Sequence, residues 1–281
     1  MISRLAVVAG SGSYPRLIVE GAKRAGVAVA DVIAIKGSTD RATARTADHV
    51  FWYTLGTLAQ AIRETAARGY DGCILAGQIN PLSLFRGGFD AEVRGWLAGL
   101  KVKCAHSIFS LLIEKLAERG LKTLPASLYM DDNVPGVGAL TVRSLTDAER
   151  SDVDRGIQVA HDVGAHDVGQ TVMVKSGMVL AVEAFEGTNA AIKRGGKLGG
   201  KGGVVFKAAR EGHDMRFDIP VVGLRTLKVM KSAGATALAF QAGRLILLDR
   251  DDVIRFADRH GIAIVGVDSG LPPAPLRPSA E

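Results

Sequence analysis

Residues 4–15 read RLAVVAGSGSYP, a short apolar run followed by a glycine-rich turn. The run from Arg4 to Ala9 has the length and continuity of a buried strand. Apolar residues between Leu17 and Ala25 then recur with the spacing of a helix. A buried strand, a tight turn and a helix are the usual opening of an α/β domain. We therefore expect a parallel sheet that begins at Arg4.

The same alternation of strand and helix continues through the first half of the chain. Helices are predicted around residues 58–66 and 111–119. Further strands are predicted at VADVIAIKG (29–37), HVFWYT (49–54), GCILAG (72–77) and residues 121–125. Alternating elements of this kind imply a parallel sheet with helices on its faces. The segment DDNVPGVG (131–138) is rich in turn formers and predicts a linker. We thus predict a Rossmann-like α/β domain over residues 1–132.

The second half has a different pattern, which predicts an α+β domain over residues 139–281. The stretch QTVMVKSGMVLAVEA (170–184) indicates two strands joined by a hairpin at Ser176-Gly177. GGVVFKAA (202–209) predicts another strand, so this half should be richer in antiparallel sheet. Helices are predicted near residues 152–163 and 251–260.

A basic stretch without acids lies between the hairpin and the end of that strand. Its cations are separated by three glycine pairs, which favours a loop. The loop either closes over phosphates, touches anionic lipid, or is simply solvated. The cations are Lys193, Arg194, Lys197, Lys201, Lys207 and Arg210.

The composition narrows the class of partner. The 281 residues carry a formal charge of +6, which fits an anionic ligand or an anionic membrane surface. No long basic tract occurs and only 5% of residues are aromatic, which argues against nucleic acid. No apolar run is long enough to span a bilayer and no signal peptide is evident, so we expect a cytoplasmic protein. Cys73 and Cys104 lie too far apart for a CxxC motif and are expected to be buried thiols.

The first candidate motif is the turn Gly10-Ser11-Gly12, whose backbone N–H groups could cradle a phosphate at a helix N-terminus. It departs from the dinucleotide fingerprint because Pro15 replaces the third glycine. The second strand also ends at residues 35–37 without the acid that would hold a ribose. A nicotinamide or flavin cofactor is therefore disfavoured, and a plain tight turn is the alternative.

A second candidate lies where the predicted strand at residues 72–77 ends. Ligands of open α/β sheets bind at this edge. Gly77 would allow close approach of a ligand, and Gln78 and Asn80 offer donors and acceptors. The simpler alternative is a capped strand end.

A third candidate, EAFEGTN (183–189), leaves the hairpin. Glu183 interrupts an apolar strand, which is unfavourable unless its carboxylate is paired or solvated. Together with Glu186, Thr188 and Asn189 it offers hard oxygen ligands that suit magnesium or manganese. The alternative is a surface turn.

The fourth candidate is Lys207 with HDMRFDIP (213–220). In an extended chain Asp214, Arg216 and Asp218 share one face, and Arg216 could fork onto a phosphate. Four residues of strand separate the two aspartates by about 13 Å, so one metal takes both only if the chain bends. The alternative is a half-exposed strand with internal ion pairs.

Two histidines, His161 and His166, each precede an aspartate, at positions 162 and 167. No third strong ligand stands at a helical spacing from them. We therefore expect structural histidines rather than a metal site.

The four motifs together resemble the UDP-2,3-diacylglucosamine pyrophosphatase family of lipid A biosynthesis. The likeness spans nearly the whole chain in the same order. It rests on AGSGSYP (9–15), LAGQINP (75–81), DVGQTVMVKSGMVLAVEAFEGTN (167–189) and KAAREGHDMRFDIPVVG (207–223).

This resemblance implies a magnesium-dependent hydrolysis of UDP-2,3-diacylglucosamine to 2,3-diacylglucosamine 1-phosphate (lipid X) and UMP, with manganese as another candidate ion. It implies water attack on the β-phosphorus and a site between two domains. Asp214 and Asp218 match the family's late motif as metal ligand or base, with Arg216 and Lys207 as phosphate clamps. Glu186 is assigned as a further metal ligand, and Gly10, Ser11, Gly12, Gly77, Gln78, Thr188 and Asn189 as substrate-binding residues.

One position departs from the family's pattern. The residue after Thr188 is usually Asp there, and Asn189 keeps an acceptor oxygen without the charge. If Asn189 ligates the metal, the affinity of this protein for the metal should be weaker than that of family members with Asp at this position. The main alternative function is a non-catalytic carrier of nucleotide-sugars or acylated sugar phosphates. Weak peripheral contact with the inner membrane is expected. The sequence leaves open whether the protein forms a homodimer.

Overall fold

The structure, a computed structural model, describes residues 2–78, 89–100, 105–166, 168–209, 216, 219–268 and 270. The chain divides into two compact units, one formed by the residues up to Met130 together with Arg216, and the other by the remaining described residues from Asp131 onward. Along the part described, no helix is both long and apolar enough to cross a bilayer.

The first unit is built on a four-stranded parallel sheet, as the sequence predicted. Its strand order is β3-β2-β1-β4. The strands β2 and β3 are added on one side of β1, and β4 is added on the other side. The strands are β1 (Arg4–Ala9), β2 (Val29–Ile35), β3 (Val50–Tyr53) and β4 (Gly72–Ala76). The helices are α1 (Tyr14–Arg24), α2 (Arg41–Thr46), α3 (Leu58–Ala67), α4 (Ala91–Ala98) and α5 (Ala105–Ala117), with a 3-10 turn at Leu55–Thr57.

For this unit one predicted strand is wrong and one predicted buried cysteine is confirmed. The strand expected at residues 121–125 is reduced to a single parallel bridge between Thr123 and Cys73 of β4. Cys73 is buried as expected, and burial raises the pKa of its thiol to about 11. Cys104 lies outside the described residues.

The second unit contains a six-stranded mixed sheet in the order β5-β12-β10-β8-β6-β7. A separate parallel pair joins β9 to β11. The strands are β5 (Gly138–Ala139), β6 (Thr171–Lys175), β7 (Met178–Val182), β8 (Gly203–Lys207), β9 (Val221–Val222), β10 (Ala235–Gln241), β11 (Ile246–Leu247) and β12 (Ala263–Val267). The helices are α6 (Asp147–Gly164), α7 (Thr188–Gly199), α8 (Leu224–Ala233) and α9 (Arg250–Arg259), and Asp131–Asn133 form a 3-10 turn.

Alternating residues of the central strands build two cores, one on each face of this sheet. Val204 and Phe206 of β8 pack with Val153 and Ala160 of α6. Val205, between them, faces the core that contains residues of α7, α8 and α9. The unit is therefore a sheet between two helical layers, and the predicted α/β and α+β fold class is confirmed.

The second half is richer in antiparallel sheet than the first, as predicted, because β6 pairs antiparallel with β7 and β8, and β12 pairs antiparallel with β5. The parallel pairing of β8, β10 and β12 at the centre of the sheet was not foreseen. Strands covered on both faces are continuous apolar runs, so the alternation that marks half-exposed antiparallel strands is missing from them. The antiparallel hairpin of β6 and β7 was predicted correctly.

The loop predicted for the basic stretch is wrong for its first part, because Thr188–Gly199 is helix α7 and includes Lys193, Arg194 and Lys197. Its glycine pair lies at packing positions instead of breaking the helix. A Cβ on Gly195 would stand 2.6 Å from Sδ of Met173, and one on Gly196 would stand 2.5 Å from the carbonyl oxygen of Ala233. These glycines let the helix approach the sheet and α8 closely, which outweighs their poor helix propensity.

Candidate functional site

A buried lysine lies at the carboxyl end of β8 in the second unit. Lys207 is 4% exposed, and its Nζ donates to Oγ1 of Thr188 at 2.7 Å. Oγ1 of Thr171 accepts from the same ammonium at 3.4 Å. Oε2 of Glu183 lies 4.0 Å away, and both carboxylate oxygens accept from the Thr188 hydroxyl at 3.0 Å. Together Lys207, Thr188, Thr171 and Glu183 form what we call the Lys207 cluster.

Three separate elements bring this cluster together. The antiparallel register of β6 and β8 places Thr171 directly opposite Lys207. Glu183 follows β7, and its backbone N–H donates to the carbonyl of Thr171 at 2.8 Å. Gly187, with a φ of 82°, then turns the chain so that Thr188 begins α7. Because glycine tolerates this left-handed conformation, it is suited to the turn.

The electrostatics of the cluster favour an anion. Helix α7 begins beside the ammonium of Lys207, and neither a side-chain cap nor an acid occupies its first turn. The positive end of a helix dipole and a buried cation repel each other, and the carboxylate of Glu183 lies 4.0 Å from the ammonium of Lys207. A phosphate oxygen would be attracted both to this ammonium and to the start of the helix. Backbone N–H groups at a helix N-terminus are also suitable donors to a phosphate.

Two buried amide atoms near these strand ends have no hydrogen-bond partner among the described residues. They are Oδ1 of Asn189 and Nε2 of Gln241. A buried polar atom left unpaired costs about 1–3 kcal/mol, so each suggests a missing ligand contact. The other amide atom of Gln241, Oε1, accepts from the backbone N–H of Ala209 at 3.1 Å, within the late motif at residues 207–223.

The donors that the structure describes suit a hard divalent cation. Glu183 and Asn189 supply a carboxylate and an amide oxygen, the ligand types that magnesium and manganese prefer. Within the described residues, no group of at least three His, Cys, Asp or Glu is placed to hold a metal. Asp214 and Asp218 lie outside those residues, so their predicted role as ligand or base stays a prediction.

Glu186, the third predicted metal ligand, is engaged in an ion pair. Its Oε1 lies 2.6 Å from Nη2 of Arg194, and its Oε2 accepts from the backbone of Ala184 at 3.1 Å. The hydrogen bond from Arg194 holds the pKa of Glu186 below its usual value. The carboxylate close to Lys207 is that of Glu183 instead. The metal role of Glu186 stays a prediction.

The predicted phosphate cradle of the first unit already uses its N–H groups. Gly10 donates to the carbonyl of Ala76 at 2.8 Å, and Ser11 donates to that of Gln78 at 2.8 Å. Gly12 donates to the Asp40 carboxylate at 2.7 Å. Asp40 is an acid near the end of β2 that the sequence analysis missed, because it stands beyond the strand end at residue 35.

Gly77 permits a close approach, but the structure shows protein backbone in that place. Its φ is 88°, and a Cβ there would stand 2.8 Å from the carbonyl oxygen of Ser11. A Cβ on Gly10 would likewise stand 2.6 Å from the carbonyl oxygen of Gln78. The turns after β1 and β4 therefore cross each other, and the Ser11 hydroxyl adds a bond to Gln78 at 3.0 Å. Substrate binding by these residues stays a prediction.

Three further residues that the sequence analysis singled out are exposed. Arg216 is an exposed turn residue. His161 and His166 are both exposed, and His161 stands 3.7 Å from the Asp162 carboxylate. Asn80 lies outside the described residues, as do positions 167 and 213. Sequence reasoning missed Thr171, the first residue of β6, and Gln241, the last residue of β10. Their neighbours in the fold, which the sequence does not reveal, make them candidates.

The fold and the Lys207 cluster define a two-domain α/β protein with a candidate anion-binding site in its C-terminal unit. Comparison with known proteins gives the family. Residues 4–133 match the LpxI N-terminal domain and residues 136–265 the LpxI C-terminal domain. The chain belongs to the LpxI family, and the resemblance read from its motifs is confirmed.

A curated relative extends this finding over almost the full length. The chain is 28% identical to the protein named UDP-2,3-diacylglucosamine pyrophosphatase LpxI from Caulobacter vibrioides. The aligned region covers 94% of this chain and 98% of the relative.

Proposed function

We propose that the protein hydrolyses the pyrophosphate of UDP-2,3-diacylglucosamine to 2,3-diacylglucosamine 1-phosphate and UMP. The observation that carries the proposal is the buried Lys207 ammonium beside the uncapped N-terminus of α7. Such a site suits a phosphate, and the relative that matches nearly the whole chain is named for cleaving this pyrophosphate. Family membership supports the same reaction class.

In the proposed reaction, the oxygen of a water molecule bonds to the β-phosphorus. The bond from that phosphorus to the bridging oxygen breaks, and the bridging oxygen leaves with UMP. Lys207 and the N-terminus of α7 hold phosphate oxygens, and Arg216 is assigned as a second clamp. Glu183 fixes the Thr188 hydroxyl, which keeps its lone pairs directed at the ammonium of Lys207.

A divalent cation, magnesium or manganese, is part of the proposal. When bound, it would neutralise pyrophosphate charge and so favour attack by water. Asn189, Asp214 and Asp218 are the residues proposed to hold it, with Glu183 or Glu186 as the further carboxylate. One aspartate of the late motif is proposed to take the proton of the attacking water.

The first experiment measures UMP release from UDP-2,3-diacylglucosamine in detergent, with magnesium and then with excess chelator. We expect release that stops when the chelator is added. In water enriched in oxygen-18, the label should enter the sugar phosphate and not UMP. Substrate binding without UMP release under any divalent metal would contradict hydrolysis and favour the carrier alternative.

The Lys207→Met variant tests the site itself. It keeps the apolar stem but removes the charge, so we expect the rate to fall about 100- to 1,000-fold, as for loss of one oxyanion donor. Lys175→Met is the matched control, because Lys175 lies at the opposite end of β6 and donates to the carbonyl of Gly199. Equal rates for the two folded variants would show that Lys207 does not hold the reacting phosphates.

A further inference from the structure

An exposed apolar edge borders the sheet of the second unit. β7 is the last strand of that sheet and pairs only with β6 among the described strands. Three large apolar side chains along this border are mostly exposed: Met178 at 64%, Phe185 at 99% and Leu198 at 69%. Phe185 is as exposed as a side chain can be, although folding normally covers a residue of this kind.

Helix α7 runs back along the same border. The connection from Glu183 to Gly187 reverses the chain, so the end of α7 lies near the start of β7. A Cβ on Gly199 would stand 2.2 Å from Cδ1 of Leu180. Arg194 also donates to the carbonyl of Val182 at 2.8 Å. Leu198 and Met178 therefore lie at one end of the border, and Phe185 lies at the other.

The charge along this border is positive. No Asp or Glu occurs between Glu186 and Glu211. Lys193 and Lys197 of α7 and Lys201 just after it are exposed. Along the sequence the acid nearest to these lysines is Glu186, which is paired with Arg194. At the Met178 end of the border the carboxylate of Asp152 is buried and accepts from the backbone N–H groups of Ser176 and Gly177. We name Met178, Phe185, Leu198, Lys193, Lys197 and Lys201 the β7–α7 surface.

Single exposed apolar residues are common, so Phe185 or Leu198 alone would imply no partner. Their combination with an acid-free row of lysines is more selective. Lysines are drawn to anionic headgroups, and their aliphatic stems can lie along apolar surface while the ammonium stays in water. Phenylalanine and leucine side chains enter the boundary between headgroups and acyl chains. Each chemical feature of the β7–α7 surface thus has a counterpart in an anionic bilayer.

We propose that the β7–α7 surface docks the protein on an anionic lipid bilayer. The inference stands on exposure and charge and does not require hydrolytic activity. Phe185 lies between Glu183 of the Lys207 cluster and Glu186, so docking through it would also bring that cluster close to the lipid surface. None of the residues of the β7–α7 surface belongs to the Lys207 cluster.

The test is cosedimentation of the purified full-length protein with vesicles that contain no substrate. One set contains phosphatidylglycerol and phosphatidylethanolamine, and the other contains phosphatidylcholine alone. We expect binding to the anionic set only, weakened by high salt. Two double variants, Phe185→Ser with Leu198→Ser and Lys193→Glu with Lys197→Glu, should each lower the partition coefficient at least tenfold. A variant that fails to fold, judged by circular dichroism, is replaced by the single changes.

Matched controls lie elsewhere in the same unit. Val142→Ser removes an apolar side chain that is 90% exposed and not part of the surface. Arg150→Glu with Arg155→Glu makes the same charge change on exposed positions of α6, on the other face of the sheet. The controls should bind as the unchanged protein does.

Three results would overturn the proposal. The controls could lose binding as much as the surface variants, which would indicate a response to net charge alone. The surface variants could bind anionic vesicles normally. Alternatively, sedimentation could show that they convert a dimer to a monomer without changing vesicle binding, which would make a second copy the occupant. Because the vesicles hold no substrate, failure of the hydrolysis proposal is a separate result.

Discussion

At the scale of single residues, the candidate site depends on how buried polar atoms are satisfied. Lys207 is tolerated inside the protein because Thr171 and Thr188 accept from its ammonium and Glu183 lies within 4.0 Å. A buried charge with these partners is still desolvated, so an anionic ligand should improve its environment. Asn189 has no such compensation, since its buried Oδ1 lacks a partner among the described residues.

The Asn189→Asp change tests whether this oxygen contacts a metal. It restores the charge that the family's pattern places after Thr188, so we expect less magnesium to be needed for half-maximal UMP release, by about tenfold. Magnesium should also raise the melting temperature of Asn189→Asp more than that of the unchanged protein, because a ligand that binds the folded state stabilises it. The second readout does not depend on activity.

An aspartate at the start of α7 also interacts favourably with the helix dipole. The two proteins are therefore compared by the change that magnesium causes in rate and in melting temperature, with each protein measured against its own chelated form. An identical magnesium response in rate and in melting temperature would show that residue 189 does not approach the metal.

At the scale of elements, helix α7 is held by its glycines. Gly196 lies against α8, where an added Cβ would stand 2.5 Å from the carbonyl oxygen of Ala233. Backbone cannot move aside as easily as the end of a flexible side chain, so the two helices would have to separate. Since α7 begins at Thr188, such a movement would also disturb the Lys207 cluster.

We therefore expect Gly196→Ala to destabilise the protein by about 1–3 kcal/mol, as overpacking does, despite the better helix propensity of alanine. Gly95→Ala is the control. Gly95 lies inside α4, where an added Cβ meets nothing within 4 Å, so this change should be neutral or should stabilise by up to about 1 kcal/mol. Urea unfolding curves measure both, and equal midpoints would contradict the close packing of α7 on α8.

At the scale of the whole molecule, the two units have separate hydrophobic cores. The core of the first unit includes Ile33, Cys73 and Leu75, and its residues all precede Met130. The cores of the second unit include Phe206 and Leu238, and their residues all follow Asp131. A cavity made in one core should therefore weaken mainly the unit that contains it.

Hydrogen exchange of the full-length protein tests this arrangement. Ile74 of β4 and Leu238 of β10 are both fully buried, so Ile74→Ala and Leu238→Ala should each cost about 2–5 kcal/mol. We expect the first change to speed amide exchange in β1, β2 and β4, and the second to speed it in β8, β10 and β12. Accelerated exchange across both units from either change would mean that they unfold as one.

Much of the fold could be predicted because its signals are local. The apolar run from Arg4 to Ala9 coincides with β1, and the run at residues 29–37 contains β2. Ser176 and Gly177 have φ values of 51° and 77°, which are the left-handed conformations that a tight hairpin turn requires. Burial and turn geometry act over a few residues, so the order of residues is enough to reveal them.

The sequence by itself thus determined strands β1–β4 and β6–β8, the hairpin, the family pattern and the candidate segment from Glu183 to Asn189. The tertiary structure decided that Gly195 and Gly196 lie where α7 packs against the sheet and α8. It also decided that the turns after β1 and β4 are hydrogen-bonded to each other, and that Thr171 lies opposite Lys207. Thr171 and Lys207 are 36 residues apart in the chain. Their contact depends on the register between two strands and on where α7 begins, and such long-range geometry leaves no periodic signal in the sequence.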